Sequence, residues 1–169
     1  LINLSLGAGD HKRPEYLKVH PLGSVPALVT GEHSYIESAA IVMHLADQDP
    51  EQRFAPPPGS PARGHYYQWI LFAMTSLYPA VHTPYLRKFF RGEDGTPEEV
   101  QALADKLAIT DELLTALPFL LADGFSAADI VFGGQLVWAD ASGLLLGREP
   151  HTAYLERLRA RPAFQRAAA

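Results

Sequence analysis

From residue 2 onward, Leu1-Ile2-Asn3-Leu4-Ser5-Leu6 alternates apolar and polar positions, the period of a half-buried strand. Gly7 to His11 then reads as a loop, and Pro14 to Val19 as a short helix with a proline in its first turn. Val25 to Val29 is apolar enough for a second strand. Thr30-Gly31-Glu32-His33 turns the chain into Ser34-Tyr35-Ile36. After it, Ile41, Val42 and Leu45 recur at helical spacing, which predicts a helix from Glu37 to about Ala46, closed by Asp47-Gln48-Asp49-Pro50. The first part of the chain is therefore β-α-β-β-α.

Phe54-Ala55-Pro56-Pro57-Pro58-Gly59-Ser60-Pro61 is the clearest linker, because consecutive prolines extend the chain and block helix propagation. Everything beyond reads helical. Ala62 to Leu77 is dense in aromatics, and Pro79 and Pro84 are expected to kink or end that helix. Tyr66, Tyr67 and Trp69 read as core or subunit interface, since an aromatic stripe at helical spacing is usually packing. Thr96-Pro97 with Glu99 forms a capping box for a helix carrying Val100, Leu103, Leu107, Leu113, Leu114 and Leu117. Ser126-Ala127-Ala128-Asp129 is a second capping box, with Asp129 expected to be buried and structural. Short helices at 154–158 and 162–169 close the chain. A β-rich start followed by helices predicts an α+β protein of two domains: residues 1–53, a linker at 54–61 and a helical domain at 62–169.

Composition narrows the function classes. The 169 residues suffice for a real core, and a net charge of −5 argues against a general nucleic-acid binder. No apolar run approaches ~20 residues, so no membrane-spanning helix is expected. Cysteine is absent from these residues, which removes disulfides, cysteine-based zinc sites and thiol nucleophiles from within them. The seven histidines show no metal-ligand spacing, and no Gly-rich phosphate loop occurs.

The candidate chemistry sits in two patches. Pro26 cannot donate to a sheet ladder, so Val25 before it can offer its peptide groups to a ligand. A cis bond there would mark a particular backbone geometry. At Glu37-Ser38, backbone N–H groups, a hydroxyl and the positive end of a helix favour an anionic group. Spacing alone equally fits an ordinary strand–hairpin–helix with a helix cap. The wording decides between them: His20-Pro21-Leu22-Gly23-Ser24-Val25-Pro26-Ala27-Leu28 with Glu37-Ser38-Ala39-Ala40-Ile41 resembles the glutathione-binding half of cytosolic glutathione S-transferases of bacterial, theta- or beta-like type. His20 replaces the usual asparagine, and Ser126 to Asp129 is similar to the capping motif of the family's helical domain.

The resemblance implies a thioredoxin-like first domain, a cytoplasmic homodimer, and attack of glutathione thiolate on an apolar electrophile. It implies that Glu37 and Ser38 hold the γ-glutamyl head, Val25 and Pro26 the cysteinyl unit, and His11 and Lys12 the glycyl carboxylate. For His11 and Lys12 a solvated loop fits as well. Met74 and Tyr78 are the implied walls for the electrophile, with no metal. A non-catalytic transferase-like binding protein, or a glutathione-dependent reductase or isomerase, are the competing readings. Family members carry their thiol-activating Ser, Tyr or Cys on a β-α unit preceding the strand at residue 1, and that unit's strand lies between the strands at 1–6 and 25–29. The catalytic residue is therefore not among these residues, and the 169-residue chain is expected to show no turnover by itself.

Overall fold

The computed structural model describes residues 1–145 and 147–168, so the last residue of the expected closing helix, Ala169, lies outside the described part. Helix α1 (Pro14–Leu17) is followed by strands β1 (Leu28–Thr30) and β2 (His33–Tyr35) and helix α2 (Ser38–Asp47). Beyond the linker come α3 (Pro61–Phe72), α4 (Tyr78–Arg91), α5 (Pro97–Leu107), α6 (Asp111–Ala116), α7 (Ala127–Ala141), α8 (Glu149–Arg159) and α9 (Pro162–Ala168). The result is a thioredoxin-like first part with a small sheet, followed by a mostly helical region.

Several expectations need correcting. Residues 1–6 form no strand, because no neighbouring strand lies beside them among the described residues. Leu1 and Ile2 stand in solvent, and local turns take over the backbone, with Gly9 N–H donating to Leu6 O and Ser5 N–H to the Asp10 carboxylate. The second strand begins at Leu28 and not at Val25, since Pro26 has no donor for the ladder. It pairs antiparallel with β2, in the register Leu28 with Tyr35, Val29 with Ser34 and Thr30 with His33. Finally, the helix opened at Pro97 ends at Leu107, with Leu113 and Leu114 on the separate α6. The aromatic helix does break just before Pro79, as expected, while Pro84 does not end it. The break is a π turn at Ala73–Leu77, in which Tyr78 N–H donates to Ala73 O, and α4 then runs through Pro84 to Gly92, whose φ of 72° closes it.

Helix α7 is the axis of the core. Ala127, Ala128, Asp129, Phe132, Leu136 and Ala139 are fully buried along it, and α2, α3, α4 and α8 pack around it. Gly133 permits the close approach of α8, because a Cβ there would stand 2.3 Å from Leu158 Cδ1. Both predicted capping boxes form, at Thr96/Glu99 and Ser126/Asp129. The linker is pinned: Ala127 N–H donates to Phe54 O at 2.8 Å, and the buried Arg63 donates to Pro56 O and to both carboxylate oxygens of Asp47. Arg63 thus ties the end of α2 to the start of α3, with its guanidinium over the Tyr66 and Tyr67 rings. Tyr66 and Trp69 lie in the core, while Tyr67 reaches solvent.

Candidate functional site

The β1–β2 register brings the two sequence patches to one end of the hairpin. Leu28 faces Tyr35, so the segment entering β1 from Val25 runs beside the segment leaving β2 toward Glu37. The Val25–Pro26 peptide bond is cis. Val25 is exposed, and neither its N–H nor its C=O has a partner among the described residues. Two backbone groups of one residue, one donor and one acceptor, are thereby left available to an extended ligand peptide.

Opposite them, Glu37 adopts φ 69°, ψ 108°, a conformation that costs a residue with a Cβ roughly 1–3 kcal/mol. Its C=O still accepts from Ile41 N–H at 3.0 Å, so the strained residue begins the helix. Among the described residues no side chain caps α2. Ser38 is the first helical residue, exposed, so its hydroxyl and the first-turn amides face solvent at the positive end of the helix dipole. An α-amino acid suits this corner chemically: an ammonium for Glu37 and a carboxylate for Ser38 and the amides.

The third side is the loop from His11 to Ser24. His11 lies half-buried in the turn Asp10–Lys12, with its Nδ1 shielded and unpaired among the described residues. Lys12 points inward to the protein backbone, its Nζ donating to Leu22 O at 3.0 Å and Gly23 O at 2.9 Å. It braces the loop that leads to Val25. Sequence reasoning missed two residues of this loop. Tyr16 donates its hydroxyl to Ser24 O at 2.6 Å. Gly23 has φ 55°, and a Cβ on it would stand 2.6 Å from the His11 carbonyl oxygen, so only glycine lets the two segments close. The glycine is visible in the sequence, but the close approach that demands it is not.

Met74 and Tyr78 lie apart from this cradle, on the helical side. Met74 sits in the π turn with its sulfur 4.0 Å from Gln135 Nε2, and Tyr78 opens α4 with its ring 5.8 Å from that of Trp138. Among the described residues no group of acidic, histidine or cysteine side chains is arranged to hold a metal ion. No helix among them is long and apolar enough to cross a membrane.

A family profile for the glutathione S-transferase N-terminal domain matches residues 3–53, which contain the whole cradle. The chain is 31% identical over 158 residues to glutathione S-transferase GstA of Escherichia coli O157:H7, covering 89% of this chain and 75% of that protein. The chain belongs to the glutathione S-transferase family. Glutathione S-transferase F10 of Arabidopsis thaliana is 28% identical over 187 residues, covering 99% of this chain and 84% of its own length. For the fold, the glutathione transferase URE2P6 of Phanerochaete chrysosporium, solved in complex with oxidized glutathione, superposes with a TM-score of 0.82 at 24% identity, over 99% of this chain and 81% of that one.

Proposed function

We propose that this transferase binds glutathione in the cradle at residues 11–38 and conjugates its thiolate to an apolar electrophile. The γ-glutamyl head is assigned to Glu37 and Ser38, the cysteinyl amide to the peptide groups of Val25 ahead of Pro26, and the glycyl carboxylate to His11. Lys12 acts one step back, by holding the Leu22–Gly23 backbone. The observation that carries the reading is the pairing of Val25's unpartnered backbone with the strained Glu37 at an uncapped helix start. Strain of this kind persists where surrounding structure and function both use it.

The residues assigned here position glutathione for attack of its thiolate on the electrophile, and the group that activates the thiol is not one of them. Met74 and Tyr78 wall the electrophile. Two copies associate, with the first domain of one against the exposed Tyr67 and Leu71 on α3 of the other; light scattering giving a monomer at micromolar concentration would count against this pairing. For binding, Ser38→Ala and Glu37→Gln are each expected to weaken glutathione by about 1–3 kcal/mol in calorimetry, the range for a lost charge-assisted hydrogen bond. Unchanged affinity in both variants would remove the head-group assignment.

A further inference from the structure

Between residues 18 and 27, His20 has the only side chain taken almost fully out of water, at 4% exposure. An imidazole is costly to bury, yet its Nδ1 has no partner among the described residues. What the ring has is a neighbour: it stacks on Tyr16, with centroids 6.3 Å apart and planes at 23°. The backbone sets up that stack. Val19 N–H and His20 N–H both donate to Tyr16 O, at 2.9 and 2.8 Å, so the turn begun by α1 runs on and brings residues 16 and 20 to one face. His20 O then accepts from Gly23 N–H at 2.8 Å and returns the chain toward Tyr16, whose hydroxyl donates to Ser24 O. That carbonyl belongs to the same planar peptide unit as the Val25 N–H. Ser24 is exposed and makes no other hydrogen bond among the described residues, so the Tyr16 hydroxyl is the tether on that plane.

From this we infer that Tyr16 and His20 are positioning residues for glutathione: Tyr16 aims the Val25 N–H by holding the far side of its peptide plane, and His20 backs the Tyr16 ring. The inference rests on the proposed cradle and names the residues that aim its central donor. In a trans peptide the C=O and N–H point in opposite directions, so a fixed oxygen fixes the direction of the hydrogen. The Ser24–Val25 bond is trans. A donor on the carbonyl also polarises the amide and strengthens its N–H. The hydroxyl reaches Ser24 only while the tyrosine ring keeps its tilt. Helix α1 has four residues, too short to hold that tilt alone, and the buried imidazole face supplies the wall. Lys12 holds the two preceding carbonyls, Leu22 O and Gly23 O, so the successive peptide units leading to Val25 are tied from behind.

Glutathione calorimetry, thermal melting and the amide NMR shift of Val25 are to be compared in the parent, Tyr16→Phe, His20→Ala and His20→Phe. Tyr16→Phe keeps the ring and removes only the hydroxyl. It is expected to weaken glutathione binding about fivefold at unchanged melting temperature, and to move the Val25 amide in the free chain. His20→Ala is expected to show the same loss of affinity. His20→Phe, which restores a flat face without the nitrogens, is expected to recover most of it. Parent-like affinity in Tyr16→Phe, or a weakened variant whose Val25 amide stays in place, overturns the inference and leaves the cradle standing. Equal losses in His20→Ala and His20→Phe overturn the role given to His20. If His20→Ala fails to fold, Tyr16→Phe decides by itself. Failure of the parent to bind glutathione overturns the cradle, and the inference with it.

Discussion

Asp129 shows how much one residue can hold. It is fully buried and accepts from Ser126 N–H and hydroxyl, from Leu120 N–H and from the Tyr154 hydroxyl. Burial pushes its carboxyl up, while those donors pull it down. The capping box was legible in the sequence because its parts lie three residues apart. The bonds from Leu120 and Tyr154 were not, since they join positions nine and 25 residues away. Asp129→Ala removes the cap and leaves donors unpaired in the core. It is expected to lower the unfolding free energy by about 2–4 kcal/mol in urea titration. Glutathione affinity of the folded fraction is expected to stay, and a variant of unchanged stability with lost binding would show that Asp129 belongs to the site. The cradle residues were legible for a different reason: their identities, more than their spacing, set them apart from an ordinary hairpin. Tyr16 and Gly23 escaped because a hydroxyl reaching a carbonyl eight residues on leaves no periodic trace.

Among the elements, local signals worked where the element closes its own hydrogen bonds. Helices α5 and α7 start at their capping residues as expected. The alternating residues 1–6 show the opposite case, because alternation describes a face and a strand also needs a neighbour. The π turn before Tyr78 is the third case: proline signals a break in the helix but not its geometry. The clamp of Arg63 between α2, the linker and α3 joins segments that the sequence reads separately. Arg63 is 6% exposed, so losing its carboxylate partner leaves a guanidinium largely out of water. Asp47 itself is half exposed, which tempers the effect. Asp47→Ala is expected to cost about 1–2 kcal/mol of stability in urea titration. A midpoint equal to the parent's would mean that the Pro56 carbonyl and the tyrosine rings satisfy Arg63 unaided.

At the scale of the whole molecule, His151 couples stability to pH. It is fully buried where α8 meets α6. His151 Nε2 shares a hydrogen bond with Thr110 Oγ1 at 2.8 Å, and its Nδ1 lies 3.4 Å from an Asp111 carboxylate oxygen. Desolvation lowers the imidazole to about 4, with Asp111 opposing and Arg148 assisting. The unfolded chain therefore binds the proton first as pH falls. The contribution of His151 is complete above about 6.5 and drains away toward 4, up to about 3 kcal/mol. Melting temperature is expected to fall over that window in the parent and less steeply in His151→Gln. Parallel curves would assign the acid lability to other groups.

Binding of glutathione at the hairpin end is the claim on which the functional reading turns, and backbone amide NMR tests it most directly. Titrating glutathione into the isotopically labelled chain is predicted to shift the amides of Val25, Ser38, Ala39 and Ala40 and the His11 ring, and to leave Ala108 to Ala116 unmoved. Shifts confined to the helical region, or no saturable shift at Val25 and Ser38, would contradict the cradle.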